Sequence, residues 1–309
     1  MNGVHSGRHL DVLATGPLAT VQDRGRPGYA SVGVSPSGAA DRGALALANR
    51  LVGNDVTAAG LELTLGGLSV RAAIDVVIAV TGAEAPIDVD GRPVGMNATV
   101  RVLAGTVVRV ERPAVGLRTY LAVRGGVDVA AVLGSRSADL LSGIGPPPLR
   151  AGDQLPIGHT RRPLPAIDVA PVPARGASTT VVRWTPGPRA DHLTAAGLDA
   201  LSRTTWTVGA DSNRIGVRLD GPPLPRPEQA ELASEGLIRG AVQVPASGRP
   251  VIFLADHPTT GGYPVVAVID DADTDSLAQV RPGDLVELRP SRGRSRHRGR
   301  PVAGRRGQE

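Results

Sequence analysis

The sequence predicts a mainly β protein: two β-barrel modules in tandem, with few and short helices. Three observations lead there. Apolar residues recur with period two along most of the chain. Forty glycines and 27 prolines punctuate those runs, as folds built from many short strands require. A length of 309 residues with 41% hydrophobic content suits two cores better than one, because single cores stop growing near ~250–300 residues.

The elements follow in order. Leu61-Glu-Leu-Thr-Leu65 alternates strictly and leads through Gly66-Gly67 to Leu68-Ser-Val70. That pattern predicts a hairpin with a two-residue turn at positive φ. A second hairpin is predicted over Ile87 to Val94, turning at Asp90-Gly91. Further strands are expected at 74–80, 100–110, 120–123, 181–184, 206–208, 217–219, 251–254, 265–269 and 285–288. Helices are expected at 40–51, with Ser37 or Asp41 as cap, and at 191–201 behind Pro188. Single turns are expected at 127–133 and 274–280.

Arg161 to Gly176 is proline-rich and reads as a linker. The predicted organisation is an N-terminal extension (1–9), a first module (10–160), the linker (161–176), a second module (177–289) and a disordered arginine-rich tail (290–309). Arg150-Ala-Gly-Asp and Arg281-Pro-Gly-Asp recur near the two module ends, and Gly-Arg-Pro-Val recurs at 91–94 and 248–251. A weak internal duplication and shared turn chemistry both account for that match.

Composition excludes several chemistries. All 34 basic residues are arginines, and there is no cysteine. The chain therefore has no biotinyl-lysine, P-loop lysine, Schiff base, thiol nucleophile, disulfide or cysteine-ligated metal. The formal charge of +5 belongs to the tail. Removing the seven arginines and one glutamate of 290–309 from the totals leaves 27 basic and 28 acidic residues in 1–289. Six aromatic residues (Tyr29, Tyr120, Trp184, Trp206, Phe253, Tyr263) are too few for a base-stacking nucleic-acid platform. Nucleic acid is thus not expected as a partner. No signal peptide and no membrane span is read, and a cytoplasmic location is expected.

Three stretches carry candidate chemistry. In the first, Thr20 to Gly28 runs through Gly33 to Asp41, a glycine-rich loop leading to a helix start. Its backbone N–H groups with Arg24 and Arg26 can hold a carboxylate or phosphate, with Gln22 and Asp23 beside them. The plainer alternative is a turn network in which Gln22 and Asp23 satisfy loop amides. The second is Thr259-Thr260-Gly261-Gly262-Tyr263-Pro264, where two glycines permit close approach of a ligand and hydroxyls can orient it. A wide hairpin loop with Tyr263 as a lid is the alternative. The third is Asp211 to Gly216, where Arg214 beside Asn213 suits an acidic substrate, or an Asx-type turn. Glu235 is the carboxylate candidate for general-base work, Thr260 its catalytic companion, and Gln243 a further substrate contact. The six histidines show no metal-ligand spacing, no metal is predicted, and His257 alone reads as structural. No G-x-S-x-G, Walker A or G-x-G-x-x-G motif occurs. The pattern fits part of a site that a partner completes.

Taken together, TVQDRGRPGYASVGVSPSGAADRGALALANRLVGN, LELTLGG, RGGVD, GSRSADLLSGIG, SNRIGVRL, SEGLIRGAVQVP and LADHPTTGGYP resemble the biotin-dependent carboxyltransferase-like family. Its members are called PxpC, KipA or allophanate hydrolase subunit 2. The resemblance runs from about Leu10 to Leu288. It implies two cyclophilin-like β-barrel modules, similar to carboxyltransferase subdomains A and B. It implies a smaller PxpB- or KipI-like partner. With a PxpA-like subunit and ATP, such a pair opens 5-oxo-L-proline to L-glutamate. The alternatives it implies are a subunit of a biotin-dependent carboxyltransferase in a urea–allophanate pathway, and a KipA-like regulator that binds a kinase inhibitor. The length and the absent lysine favour the 5-oxoprolinase subunit, with ATP bound in the complex and no covalent biotin on this chain. The resemblance itself assigns no catalytic residue.

Overall fold

A computed structural model describes residues 7–173, 179–225 and 232–291. The expected arginine-rich tail beyond Ser291, the first six residues and the end of the linker lie outside the described residues. The fold is mainly β.

The first half carries β1 (His9–Thr15), β2 (Leu18–Gln22), α1 (Arg42–Leu51), β3 (Gly60–Thr64), β4 (Leu68–Ala72), β5 (Val76–Glu84), β6 (Ile87–Val89), β7 (Arg92–Val94), β8 (Thr99–Val102), β9 (Val107–Val110), β10 (Val115–Val123) and β11 (Gln154–Pro156). They form two sheets, ordered β11-β1-β4-β9-β6-β7 and β2-β3-β10-β5-β8. One aliphatic core lies between them, with Leu10, Val12, Val70 and Val110 from one sheet against Leu61, Leu63, Ile78 and Leu121 from the other.

The second half carries β12 (Thr180–Pro186), α2 (Ala195–Arg203), β13 (Thr205–Val208), β14 (Gly216–Asp220), β15 (Glu235–Gly236), β16 (Ala241–Gln243), β17 (Val251–Phe253), β18 (Thr260–Gly261), β19 (Val265–Ile269), α3 (Asp271–Leu277) and β20 (Leu285–Pro290). Seven of these strands close into a barrel, ordered β12-β19-β16-β17-β14-β13-β20. Trp206 and Val242, Ile252, Val266 and Leu288 fill it. The short pair β15 and β18 forms a separate ribbon.

The predicted hairpin at Gly66-Gly67 is not one. β3 pairs with β2 and β10, whereas β4 pairs with β1 and β9. The chain changes sheets at this corner, as strands at the edge of a packed pair of sheets do. Leu65, Gly66 and Gly67 all have positive φ there. A Cβ on Gly66 would stand 2.1 Å from the Glu111 carbonyl oxygen. Glycine is needed here for a close crossing and not for a two-residue turn. The Asp90-Gly91 hairpin forms as expected, joining β6 to β7 with φ of 49° and 79°, the geometry of a type I′ turn.

The predicted strand at 100–110 splits into β8 and β9, which lie in different sheets. The expected turn at 127–133 is not helical; it begins with an isolated bridge from Val127 to Ile157. Helix α1 begins one residue after Asp41, whose Oδ1 accepts from the Ala44 N–H at 2.9 Å. Helix α2 starts later than expected, because Thr194 is the capping residue. The Arg-X-Gly-Asp turns share one bonding pattern. Asp153 Oδ2 accepts from Arg150 N at 2.7 Å, and Asp284 Oδ2 from Arg281 N at 2.8 Å. Gly152 and Gly283, both at positive φ, each donate to a strand carbonyl at 2.8 Å.

Candidate functional site at the junction of the two halves

The halves meet through buried polar groups. Glu62, on β3, faces two arginines. Its Oε1 accepts from Arg214 Nη1 and lies 3.4 Å from Arg118 Nε. Its Oε2 accepts from the Tyr120 hydroxyl at 2.8 Å and the Ala40 N–H at 2.9 Å. Arg214 also donates to both oxygens of Asp256, at 2.8 and 3.0 Å, and to the Gly38 carbonyl at 2.6 Å. Asp256 in turn accepts from Ser37 Oγ at 2.7 Å and Leu140 N at 3.1 Å. The side chains of Glu62, Arg214 and Asp256 are at most 2% exposed.

A second layer clasps the junction from α3 and the turn that follows it. Gln279 donates to Asp41 Oδ2 at 2.8 Å and to the Arg118 carbonyl at 3.0 Å, and accepts from Leu117 N and Arg118 N. Asp275 accepts from Arg42 N and Gly43 N, at 3.1 and 2.9 Å. A helix of the second half thus caps the first turn of α1, where N–H groups lack intrahelical partners.

Charge states follow from this packing. Burial opposes ionisation of Glu62, but Arg214, Arg118 and the Ala40 N–H outweigh it and hold its carboxyl below the usual range. Burial, then the charges of Glu62 and Asp41, push the Tyr120 phenol well above its ordinary value. Stability linked to Glu62 is present above its unfolded value near 4.5 and is lost as pH falls through the lower folded value. Stability linked to neutral Tyr120 is present below its unfolded value near 10 and is lost as pH rises toward the folded one. The melting temperature of the full chain is therefore expected to fall at acid pH, where Glu62 adds to the loss from buried His257 that begins below its unfolded value of 6.5, and to fall again as pH rises past about 10. Glu62→Gln should flatten the acid limb, measured by thermal unfolding across pH. An unchanged acid limb would remove Glu62 from this account.

The predicted site residues separate into two groups. The first lies at the junction. Gln22 is fully buried, and its Nε2 donates to Thr20 Oγ1 and the Ala138 carbonyl. Asp23 Oδ1 accepts from Gly25 N, Ser135 Oγ and Ser137 Oγ, and its Oδ2 from Arg136 N. Arg26 is 1% exposed and donates to the Ser137 and Val132 carbonyls. These three side chains tie the 22–26 loop to the 132–145 loop; Asp23 accepts from the loop amides of Gly25 and Arg136, while Gln22 Oε1 and Arg26 Nη1 are buried without a hydrogen-bond partner among the described residues. Arg214 is buried likewise: its guanidinium is 2% exposed and donates to Glu62, Asp256 and the Gly38 carbonyl. Asn213 is exposed, and its Oδ1 accepts from Ile215 N at 2.8 Å, an Asx turn.

The second group surrounds the β15–β18 ribbon. Thr260 pairs with Gly236 and Gly261 with Glu235. The Thr259 carbonyl accepts from Leu237 N. Gln243 Nε2 donates to the Tyr263 carbonyl at 2.7 Å. A Cβ on Gly261 would stand 2.9 Å from Gln243 Nε2, so glycine there admits the Gln243 amide. Gly262 and Tyr263 are exposed. Glu235 is ion-paired with Arg189, which donates to it from Nε at 2.8 Å and from Nη2. That hydrogen-bonded guanidinium holds the carboxyl below the usual range, so Glu235 is a poor proton acceptor near neutral pH. Glu235→Gln is expected to leave the fold intact and turnover unchanged, measured beside the wild-type chain. A collapse of turnover without loss of fold would restore Glu235 as the base.

No hydrogen bond or ion pair among the described residues links the two groups of predicted residues directly. The segment Asp256-His257-Pro258 runs between them. Sequence reasoning set His257 aside. It is 3% exposed, and its Nδ1 lies 2.8 Å from the Pro258 carbonyl oxygen. Beside the junction is a cleft of about 560 Å³ lined by Arg24, Arg42 and Arg136, with Asp23 as its carboxylate. Of the two arginines that the sequence proposed for holding an anion, Arg24 lines this cleft, with Arg42 and Arg136, whereas Arg26 is 1% exposed. Arg42 Nε is buried without a hydrogen-bond partner among the described residues. Among those residues, no group of three or more His, Asp or Glu is placed to hold a metal ion, and no helix is long and apolar enough to cross a membrane.

This two-part β fold, joined through a polar seam, is that of a carboxyltransferase domain. Residues 32–290 match the model of the carboxyltransferase domain, subdomain A and B, and the chain belongs to that family. It is 41% identical over 286 residues to the C subunit of the 5-oxoprolinase of Escherichia coli K12, covering 90% of each. It is 33% identical over 310 residues to the urea amidolyase of Lachancea kluyveri, covering 91% of this chain and 17% of that protein. Among solved structures it resembles TTHA0988, with a TM-score of 0.82 and 34% identity over 91% of this chain. The chain spans about half the length of that structure, 55%.

Proposed function

We propose that this chain is a subunit of an ATP-dependent 5-oxoprolinase, opening 5-oxo-L-proline to L-glutamate with PxpA- and PxpB-like partners. The observation that carries this is the 41% identity to the C subunit of the E. coli 5-oxoprolinase along 90% of both chains. The arginine-lined cleft beside the junction supports it, because guanidinium groups bind a small carboxylate with matched geometry. A P-loop cannot form on this chain, which has no lysine. ATP binds in the complex, at a site that this chain or a partner supplies. The test is glutamate release by this chain mixed with a PxpB-like and a PxpA-like subunit, 5-oxoproline and ATP. No glutamate from the full mixture sinks the proposal.

The urea amidolyase similarity favours a second function, carboxyl transfer from biotin. With no lysine in the chain, the biotin would be carried by another protein. Inhibition of turnover by avidin distinguishes it from the first.

A further inference from the structure

We propose that the first half carries a second binding site, separate from the seam, for a phosphate monoester with an apolar group. The site is a cavity of about 490 Å³, and it stands independently of the function proposed above.

Strand geometry places it away from the seam. The cavity is framed by the start of β5, the end of β8, the chain after β11 and Arg8 just ahead of β1. Arg124 on its wall continues β10, and the seam residue Arg118 lies six positions earlier on that strand. At about 3.3 Å per residue the two are roughly 20 Å apart. A small molecule in this cavity therefore does not reach the Glu62–Arg214 network.

The cavity carries charge that the fold leaves unpaired. Arg8, Arg101 and Arg124 line it against one carboxylate, Asp75. Three less one leaves an excess of two positive charges, with His159 uncounted. Asp75 Oδ1 accepts from Ala104 N at 2.8 Å. Arg124 donates to the Val52 carbonyl at 2.9 Å and to the Arg162 carbonyl, so its hydrogen bonds are made but its charge is unopposed. Arg101 has no hydrogen bond or ion pair among the described residues. Arg8 Nη2 lies 3.5 Å from the Gly158 carbonyl oxygen, longer than an ordinary N–H···O bond. Its Nε is buried without a hydrogen-bond partner among the described residues. Buried N–H groups ordinarily have an acceptor, and an oxyanion in the cavity would supply one.

The charge selects the ligand. A phosphate monoester carries about −1.5 to −2 near pH 7, which matches the excess of two. A lone carboxylate would leave half of that excess unopposed. Guanidinium groups bind phosphate oxygens through paired N–H groups, and the His159 ring and Thr160 hydroxyl add further hydrogen-bonding groups to the lining. The ester carbon chain also has a surface to meet. Val76 and Val102 are buried, and Leu103 and Leu164 stand 66% and 37% exposed along the same cavity. Its volume falls in the range of about 300–1,000 Å³ usual for small-molecule sites.

The test is calorimetric titration of the full chain with phenyl phosphate, inorganic phosphate and benzoate. Phenyl phosphate is expected to bind tightest, because inorganic phosphate lacks the apolar group and benzoate carries a single charge. Arg101→Met is expected to weaken phenyl phosphate about tenfold or more, the scale of one lost charge-assisted hydrogen bond. The melting temperature should not change, because the Arg101 side chain bonds nothing else in the fold. On binding, amide NMR shifts are expected at Leu103 and Thr160, and not at Gly25 and Gly134 in the cleft beside the seam. The reverse pattern would put the ligand in that other cleft and overturn the proposal. No binding of phenyl phosphate, benzoate binding as tightly, or an affinity that Arg101→Met leaves unchanged overturns it as well.

Discussion

Replacing Arg214 with methionine is expected to remove about 3–5 kcal/mol of stability, the range for taking one member out of a buried ion pair. The loss comes from the charges left behind. Asp256 would lose both guanidinium contacts and keep Ser37 and Leu140. Glu62 would keep Arg118, at 3.4 Å. These carboxylates come from opposite halves, so the defect should loosen the seam itself. Urea unfolding of the full chain measures it. A further sign is non-additivity: Glu62→Gln combined with Arg214→Met should be less damaging than the separate losses added together, because the pair is removed as a unit. A loss below ~1 kcal/mol, typical of an exposed ion pair, would show that Arg214 does not join the halves. If Arg214 instead clamped substrate, the same variant would raise KM and leave stability unchanged.

That contrast shows where the sequence was legible. Period-two runs located most strands, since alternation reports directly on one buried face. It could not report which sheet a strand joins. Leu61–Leu65 and Leu68–Val70 looked like hairpin partners because Gly66-Gly67 allows positive φ. The same permissiveness serves a corner between sheets. The motifs around Gln22, Asp23, Arg26 and Arg214 were correctly singled out as unusual. In the structure their polar groups bond the loops and the seam. Arg214 meets Glu62 across 152 positions, and no local pattern predicts such a pairing. Glu62 itself was hidden in plain sight: in Leu61-Glu-Leu-Thr-Leu65 it occupies the face opposite the aliphatic core, which normally meets solvent, yet it is 1% exposed. His257 read as structural, and its Nδ1 lies 2.8 Å from the Pro258 carbonyl oxygen, a contact that residue spacing does not reveal.

The Asp23→Asn variant is expected to lose about 3 kcal/mol, a scale set by hydrogen bonds to an ionised acceptor, ~1.5–3 kcal/mol each. The carboxylate faces four donors, at 2.6 to 2.7 Å. An amide has one acceptor oxygen. If its NH₂ replaces Oδ2, it meets the Arg136 N–H, which cannot accept. If it replaces Oδ1, it meets the Gly25 N–H, and only the two serine hydroxyls can turn to accommodate it. Either orientation sets a donor against a backbone donor. The consequence reaches the seam, because the 132–145 loop also delivers Asp139 and Leu140 to the His257–Asp256 segment. Amide exchange should therefore quicken at Gly25, Arg136 and Leu140 by more than at Val242 in the barrel. Equal protection at all four amides, with an unchanged melting temperature, would mean that Asp23 does not organise these loops.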